Sequence, residues 1–222
     1  MLKKAVFALA VLSSTASAET LTCPVGGEQF AAPVAAACGE DSGQTMLLMP
    51  LGCPPAPLPQ CPQNFLPMYK AFGTEELPIL KHYMQSESYE SNVDFSPYYL
   101  AYIVEKYLNG PDKQLPALLL LWGLWQAPAL ISEDPEYMAA LAYELEATLT
   151  PAIPDDNAMV LAMLGFTQLL SGNPEAGQSY LARAENQAAP SATAQGYLAA
   201  VRACFTDSSQ PHCRATAAMP RP

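Results

Sequence analysis

From Phe72 onward the apolar positions recur at three- and four-residue steps, whereas before it they come in short runs broken by proline and glycine. The first spacing is that of helix faces and the second that of turns and short strands. Seven helices follow from the pattern. Thr74 caps the first, which runs to about Ser86, with Glu75 and Glu76 in its opening turn where the macrodipole favours acids. Glu87 to Asp94 reads as a polar loop. Ser96-Pro97 starts a helix that Asn109-Gly110 stops, and Asp112 or Lys113 starts the Leu/Trp helix ending near Gln126. Asp134-Pro135 opens a helix to about Leu149. Asp155 or Asp156 opens one that ends at Ser171-Gly172, Pro174 one to about Ala188, and Ser191 the last, from about Ala192 to Phe205.

Upstream, Leu21 to Phe30 reads as a hairpin closed by a tight turn at Gly26-Gly27, because paired glycines supply the positive φ of a primed turn. Ala31 to Gly43 is a loop, and Gln44 to Leu51, with Met46 to Met49 in series, is a strand. Gly52 to Pro67 holds six prolines and reads as an extended connector. The fold class is therefore mostly α, antiparallel helical hairpins in a stack or bundle, with a small disulfide-linked β element at the N-terminal end. The divisions are 1–18, a targeting segment; 19–71, the head; 72–206, the helical domain; and 207–222, a tail.

Lys3 and Lys4 precede an apolar run, Ala5 to Leu12, and then Ala16-Ser17-Ala18. That is the layout of a signal peptide cut after Ala18, and the run is too short to serve as a membrane anchor. The mature chain keeps eight basic residues against 21 acidic ones, a net charge of −13. Such a surface is repelled by a nucleic-acid backbone or an anionic membrane, so neither is an expected partner. Leu115 to Trp125, the next longest apolar run, is also too short to span a bilayer and reads as a helix buried on most sides.

All six cysteines follow the cleavage point, an even number in a chain expected to reach an oxidising compartment. Cys204 and Cys213 pair most simply, since Asp207 to Pro211 is turn chemistry that returns the tail to the last helix. Cys23, Cys38, Cys53 and Cys61 are separated by 14, 14 and 7 residues, so no two have the close spacing of a structural zinc site. Of their three connectivities the nested one, Cys38–Cys53 with Cys23–Cys61, is preferred over Cys23–Cys38 with Cys53–Cys61. No metal and no cofactor are expected.

Asn157 to Pro190 places Leu161, Leu164, Gly165, Gly172, Gly177, Leu181 and Ala184 in a pattern that resembles one tetratricopeptide repeat, with small residues where the two helices cross. Gln168 stands where an aromatic is usual, and Gly177 where alanine is. The turn at Tyr107 to Pro111 parallels the one at Leu169 to Pro174. The head, Cys23-Pro24-Val25-Gly26-Gly27-Glu28-Gln29-Phe30, resembles the Cys-Pro-x-Cys-Gly-x-x-Phe knuckle of zinc ribbons. A knuckle followed by tetratricopeptide-like helices is the plan of a group of bacterial proteins classed as a domain of unknown function. Gly26 stands at the second metal cysteine of that knuckle, so the resemblance carries the fold and not the metal.

Catalytic constellations are missing. There are two histidines, His82 in mid-helix and His212 in the tail, and no nucleophile elbow, phosphate loop or metalloprotease motif. Asp155-Asp156 and Glu133-Asp134 sit at helix starts as caps, and Glu144 with Glu146 reads as a solvated face. The aromatic helix with Tyr98, Tyr99, Tyr102 and Tyr107, and with Lys106 a turn beyond Tyr102, is the best candidate binding surface, unless the rings pack under Trp122 and Trp125. The expected function is an exported, periplasmic, non-catalytic module that binds a protein or peptide on a helical-repeat-like surface. The alternatives are a small-molecule binder or enzyme with a pocket between helices, and a metal or redox module on the cysteine head.

Overall fold

The computed structural model describes residues 19–33, 56–110, 112–126, 134–149, 154–187, 191–210 and 213. The expected targeting segment, the strand at Gln44 to Leu51, His212 and the pairing of Cys38 with Cys53 lie outside the described residues. Two strands, β1 (Thr20–Thr22) and β2 (Gln29–Ala31), form an antiparallel hairpin with Leu21 opposite Phe30. Eight helices follow among the described residues: α1 (Glu76–Tyr83), α2 (Glu87–Glu90), α3 (Pro97–Leu108), α4 (Leu115–Gln126), α5 (Pro135–Ala147), α6 (Pro154–Leu170), α7 (Pro174–Glu185) and α8 (Ala192–Thr206). None is long and apolar enough to cross a membrane.

Several helix starts are as the sequence reads. Pro97, Pro135 and Pro174 open α3, α5 and α7, and Asp134 accepts the N–H groups of Glu136 and Tyr137. Ser191 likewise caps α8 through Ala194. Others differ. Ser96 stands at the start of α3, yet its hydroxyl makes no cap bond. Thr74 does not cap α1 either. There Glu76 reaches back to accept the Gly73 N–H at 2.8 Å, doing the capping from inside the helix. Glu87 to Asp94 is not all loop, because Ser86 accepts the Tyr89 N–H and Tyr89 buries its ring, which draws one turn of helix onto the core. At the end of α3 Asn109, and not Gly110, takes the left-handed conformation, with φ 50°. Gly110 is needed for space, since a Cβ there would overlap the Glu105 carboxylate.

The helices stack in chain order, each of α3 to α6 packing on the next, and α6 packs on both α7 and α8. The main core lies among α4 to α8, and a second joins Cys23, Cys61 and Leu66 of the head to Leu80, Tyr83, Tyr89, Leu100 and Val104 of α1 to α3. Helix α4 sits between α3 and α5, which is why its sequence is apolar nearly all round. Gly123 on it leaves room for Tyr137, whose buried hydroxyl donates to the Leu120 carbonyl at 2.6 Å. Gly165 and Gly177 mark the closest crossing of α6 and α7: a Cβ on Gly177 would lie 2.7 Å from the Gly165 carbonyl oxygen.

Candidate functional site

The head is two turns of the same build. In the first, the Cys23 N–H donates to the Glu28 carbonyl at 2.9 Å and the Gly27 N–H to the Cys23 carbonyl at 3.1 Å. In the second, the Cys61 N–H donates to the Leu66 carbonyl at 3.0 Å and the Phe65 N–H to the Cys61 carbonyl at 2.9 Å. Each is followed by antiparallel pairing one residue out, Thr22 with Gln29 and Gln60 with Pro67. Each has a left-handed residue at its fifth position, Gly27 at φ 80° and Phe65 at φ 58°. Hence the hairpin is not closed by the expected two-residue primed turn, and the proline-rich connector is not extended throughout. Proline in second place, Pro24 and Pro62, helps to fix each loop's entry.

A disulfide joins the two turns at their first residues, Cys23 and Cys61, with the Cα atoms 5.5 Å apart and both sulfurs shielded from solvent. Asn64 completes the link: its amide donates to the Val25 carbonyl at 2.5 Å and its oxygen accepts the Leu66 N–H at 3.1 Å. Among the described residues one group has metal-ligating atoms close together, Cys23, Glu28 and Cys61, all within 4.8 Å of one another. A four-cysteine zinc knuckle does not fit, because Gly26 and Asn64 stand where each turn would supply its second thiolate. With the two sulfurs bonded to each other, no thiolate is on offer. Both Glu28 oxygens are nonetheless out of solvent with no hydrogen-bond partner.

An open groove of about 570 Å³ runs between the first turn and α1. Pro24 and Val25 form one wall and Leu77, Pro78 and Met84 the other, with Asn64 in the lining and exposed Lys81 beside them. A second cleft, about 440 Å³, lies between the start of α5 and the end of α6, where Met138, Gln168 and Asn173 meet.

Tyr98, Tyr99 and Tyr102 of α3 are engaged inside the protein, whereas Tyr107 is 45% exposed and stacks on Tyr83 with ring centroids 3.9 Å apart. Tyr98 is 5% exposed, donates to the Ala56 carbonyl at 2.8 Å and meets Trp122 edge-on. Tyr99 packs against Phe95, Tyr102 and Tyr137. Tyr102 donates to Glu144 at 3.2 Å, and Lys106 pairs with the same oxygen at 2.9 Å. Glu144, expected on a solvated face, is 3% exposed, while its companion Glu146 does face solvent and pairs with Arg183. Burial first, then the Glu144 charge, hold the Tyr102 hydroxyl well above its ordinary range.

The same arrangement recurs at Glu105, 2% exposed, whose Oε2 accepts from Tyr69 at 2.8 Å and pairs with Lys70 at 2.8 Å. Burial works against the Lys70 charge, but hydrogen bonds to Glu105 and Glu76 outweigh it and raise the ammonium's pKa. Glu105 and Glu144 line a common pocket of about 170 Å³, below the roughly 300 Å³ at which small-molecule sites begin. Sequence reasoning missed both buried glutamates; a Glu and a Tyr three or four residues from an apolar helix stripe are the only trace they leave.

Cys204 and Cys213 are joined as expected, with Asp207 accepting from the Ser209 N–H and hydroxyl to shape the return. His82 is exposed. No family model, curated protein or solved structure matches the chain.

Proposed function

We propose that the protein is an exported, non-catalytic module that holds a protein or peptide partner in the periplasm. Residues 1–18 act as its signal peptide. One observation carries the reading: the groove between the first turn and α1 is open and walled mostly by apolar side chains, with polar side chains at Asn64, Lys81 and Gln85. Its volume suits an extended peptide segment. Support from behind comes from the disulfide and from Leu80 and Tyr83, which fix both walls to one core. Two disulfides fit an oxidising compartment. The crossing at Gly165 and Gly177 fits a tetratricopeptide-like stack, and the zinc-ribbon-like turns fit the domain-of-unknown-function plan. The strongly acidic chain favours a partner of opposite charge.

Capture from the periplasmic fraction with the full chain, and with a Leu77→Asp/Met84→Asp variant of equal helicity, tests this. A specific partner held by the first and lost by the second is the expected result. Equal capture by both chains, or none by either, overturns it.

A further inference from the structure

We propose that reduction of Cys23–Cys61 turns the head into a site for a thiophilic divalent cation of the Zn²⁺ class, held by the Cys23 and Cys61 thiolates and the Glu28 carboxylate. Three observations converge. The donor atoms of the three residues already lie within 4.8 Å of one another. Both Glu28 oxygens are withdrawn from water without a hydrogen-bond partner, an arrangement that a bound cation would satisfy. The two turns present their cysteines face to face from a common hydrogen-bonded geometry, so the backbone fixes where both sulfurs point.

Tetrahedral coordination needs metal–sulfur distances of about 2.3 Å and metal–oxygen distances of about 2.0–2.2 Å, which puts neighbouring donors roughly 3.5–3.8 Å apart. The sulfurs have to separate by less than about 2 Å from their bonded distance to reach it, and the Glu28 carboxylate, within 4.8 Å of both, has at most about 1 Å to close. The protein supplies three donors here and solvent would take the fourth position, since the nearest polar atom of Asn64 to Cys23 Sγ is its amide nitrogen, at 3.7 Å.

The chemistry balances by thiol–disulfide exchange. A dithiol reductant attacks one sulfur and ends as a disulfide, leaving two thiols on the protein. Cation binding then releases their two protons, replacing a covalent link with a metal link between the same two turns. The shielded sulfurs make local opening of the head a requirement for the first step. Disulfide and cation are therefore mutually exclusive clamps on one wall of the groove.

The test uses the full chain, reduced with dithiothreitol, desalted without oxygen and titrated with Co²⁺ alone. Expected is one Co²⁺ per chain with thiolate charge-transfer absorption and tetrahedral d–d bands, displaced by Zn²⁺, and none of this in the oxidised protein. Glu28→Gln should weaken binding by about 10- to 100-fold or more. Cys204→Ser/Cys213→Ser and Cys38→Ser/Cys53→Ser should leave the spectrum unchanged, and Cys23→Ser should abolish it. No stoichiometric uptake by the reduced chain overturns the proposal. So does uptake that survives Glu28→Gln at full affinity, or uptake that disappears with either of the other cysteine pairs.

Discussion

At Glu105 and Glu144 a tyrosine hydroxyl and a lysine ammonium reach the same carboxylate oxygen, but the two lysines differ in exposure. The Lys70 side chain is 22% exposed and bridges Glu105 to Glu76, while that of Lys106 is 45% exposed. Removing one partner of a buried pair strands the other's charge, and a wetter pair contributes less. Lys70→Met should therefore cost about 3 kcal/mol in urea denaturation and Lys106→Met about 1 kcal/mol. Similar losses for the two variants would show that burial does not separate them.

Glu76 provides a pH dependence at the same cluster. Burial alone raises its pKa, but the Lys70 ammonium and the Gly73 N–H together hold it below the ordinary 4.5. A carboxyl lowered in the folded state contributes stability above the unfolded value, and that contribution is lost as pH falls through the folded one. Urea midpoints for the native chain should fall below about pH 4.5, and Glu76→Gln, already without this contribution, should fall less steeply.

Among the elements, the α6–α7 crossing is set by absent side chains. A Cβ on Gly177 would lie 2.6 Å from Phe205 Cζ and 2.7 Å from the Gly165 carbonyl oxygen, whereas one on Gly165 meets its nearest atom at 3.1 Å. Gly177→Ala should cost about 1–3 kcal/mol through overpacking, with Gly165→Ala milder, measured by thermal unfolding. The spacing of small residues exposed this crossing in the sequence, because helices approach closely only where Cβ atoms are missing. The second turn of the head left no such sign: Phe65 holds a left-handed conformation that sequence would assign to glycine or asparagine.

At the scale of the whole molecule, the two disulfides among the described residues close loops of different length. Cys23 and Cys61 are 38 residues apart, and Cys204 and Cys213 are nine. The chain-entropy model gives about 4 kcal/mol for the first and about 2.5 kcal/mol for the second. Cys23→Ala/Cys61→Ala should lower stability more than Cys204→Ala/Cys213→Ala. Hydrogen exchange should show the second change confined to the end of α8.

The apolar spacing by itself determined the mostly α class, the order of the helices and most of their starts, because proline, serine and aspartate act on the backbone locally. Turn chemistry also made the Cys204–Cys213 link readable, whereas the sequence left Cys23–Cys61 as a preference among three connectivities, and the fold joins the two by bringing their turns together. Tertiary structure alone decided the rest: that Glu105 and Glu144 are buried, that Tyr98, Tyr99 and Tyr102 face inward while Tyr107 does not, and that residues 61–66 repeat the turn at 23–28. Each depends on a partner far along the chain, Ala56 for Tyr98, Tyr69 for Glu105, Val25 for Asn64, and no local pattern names that partner. The groove and the three-ligand cluster at Cys23, Glu28 and Cys61 arise the same way, from two turns and a helix that become neighbours only when the chain folds.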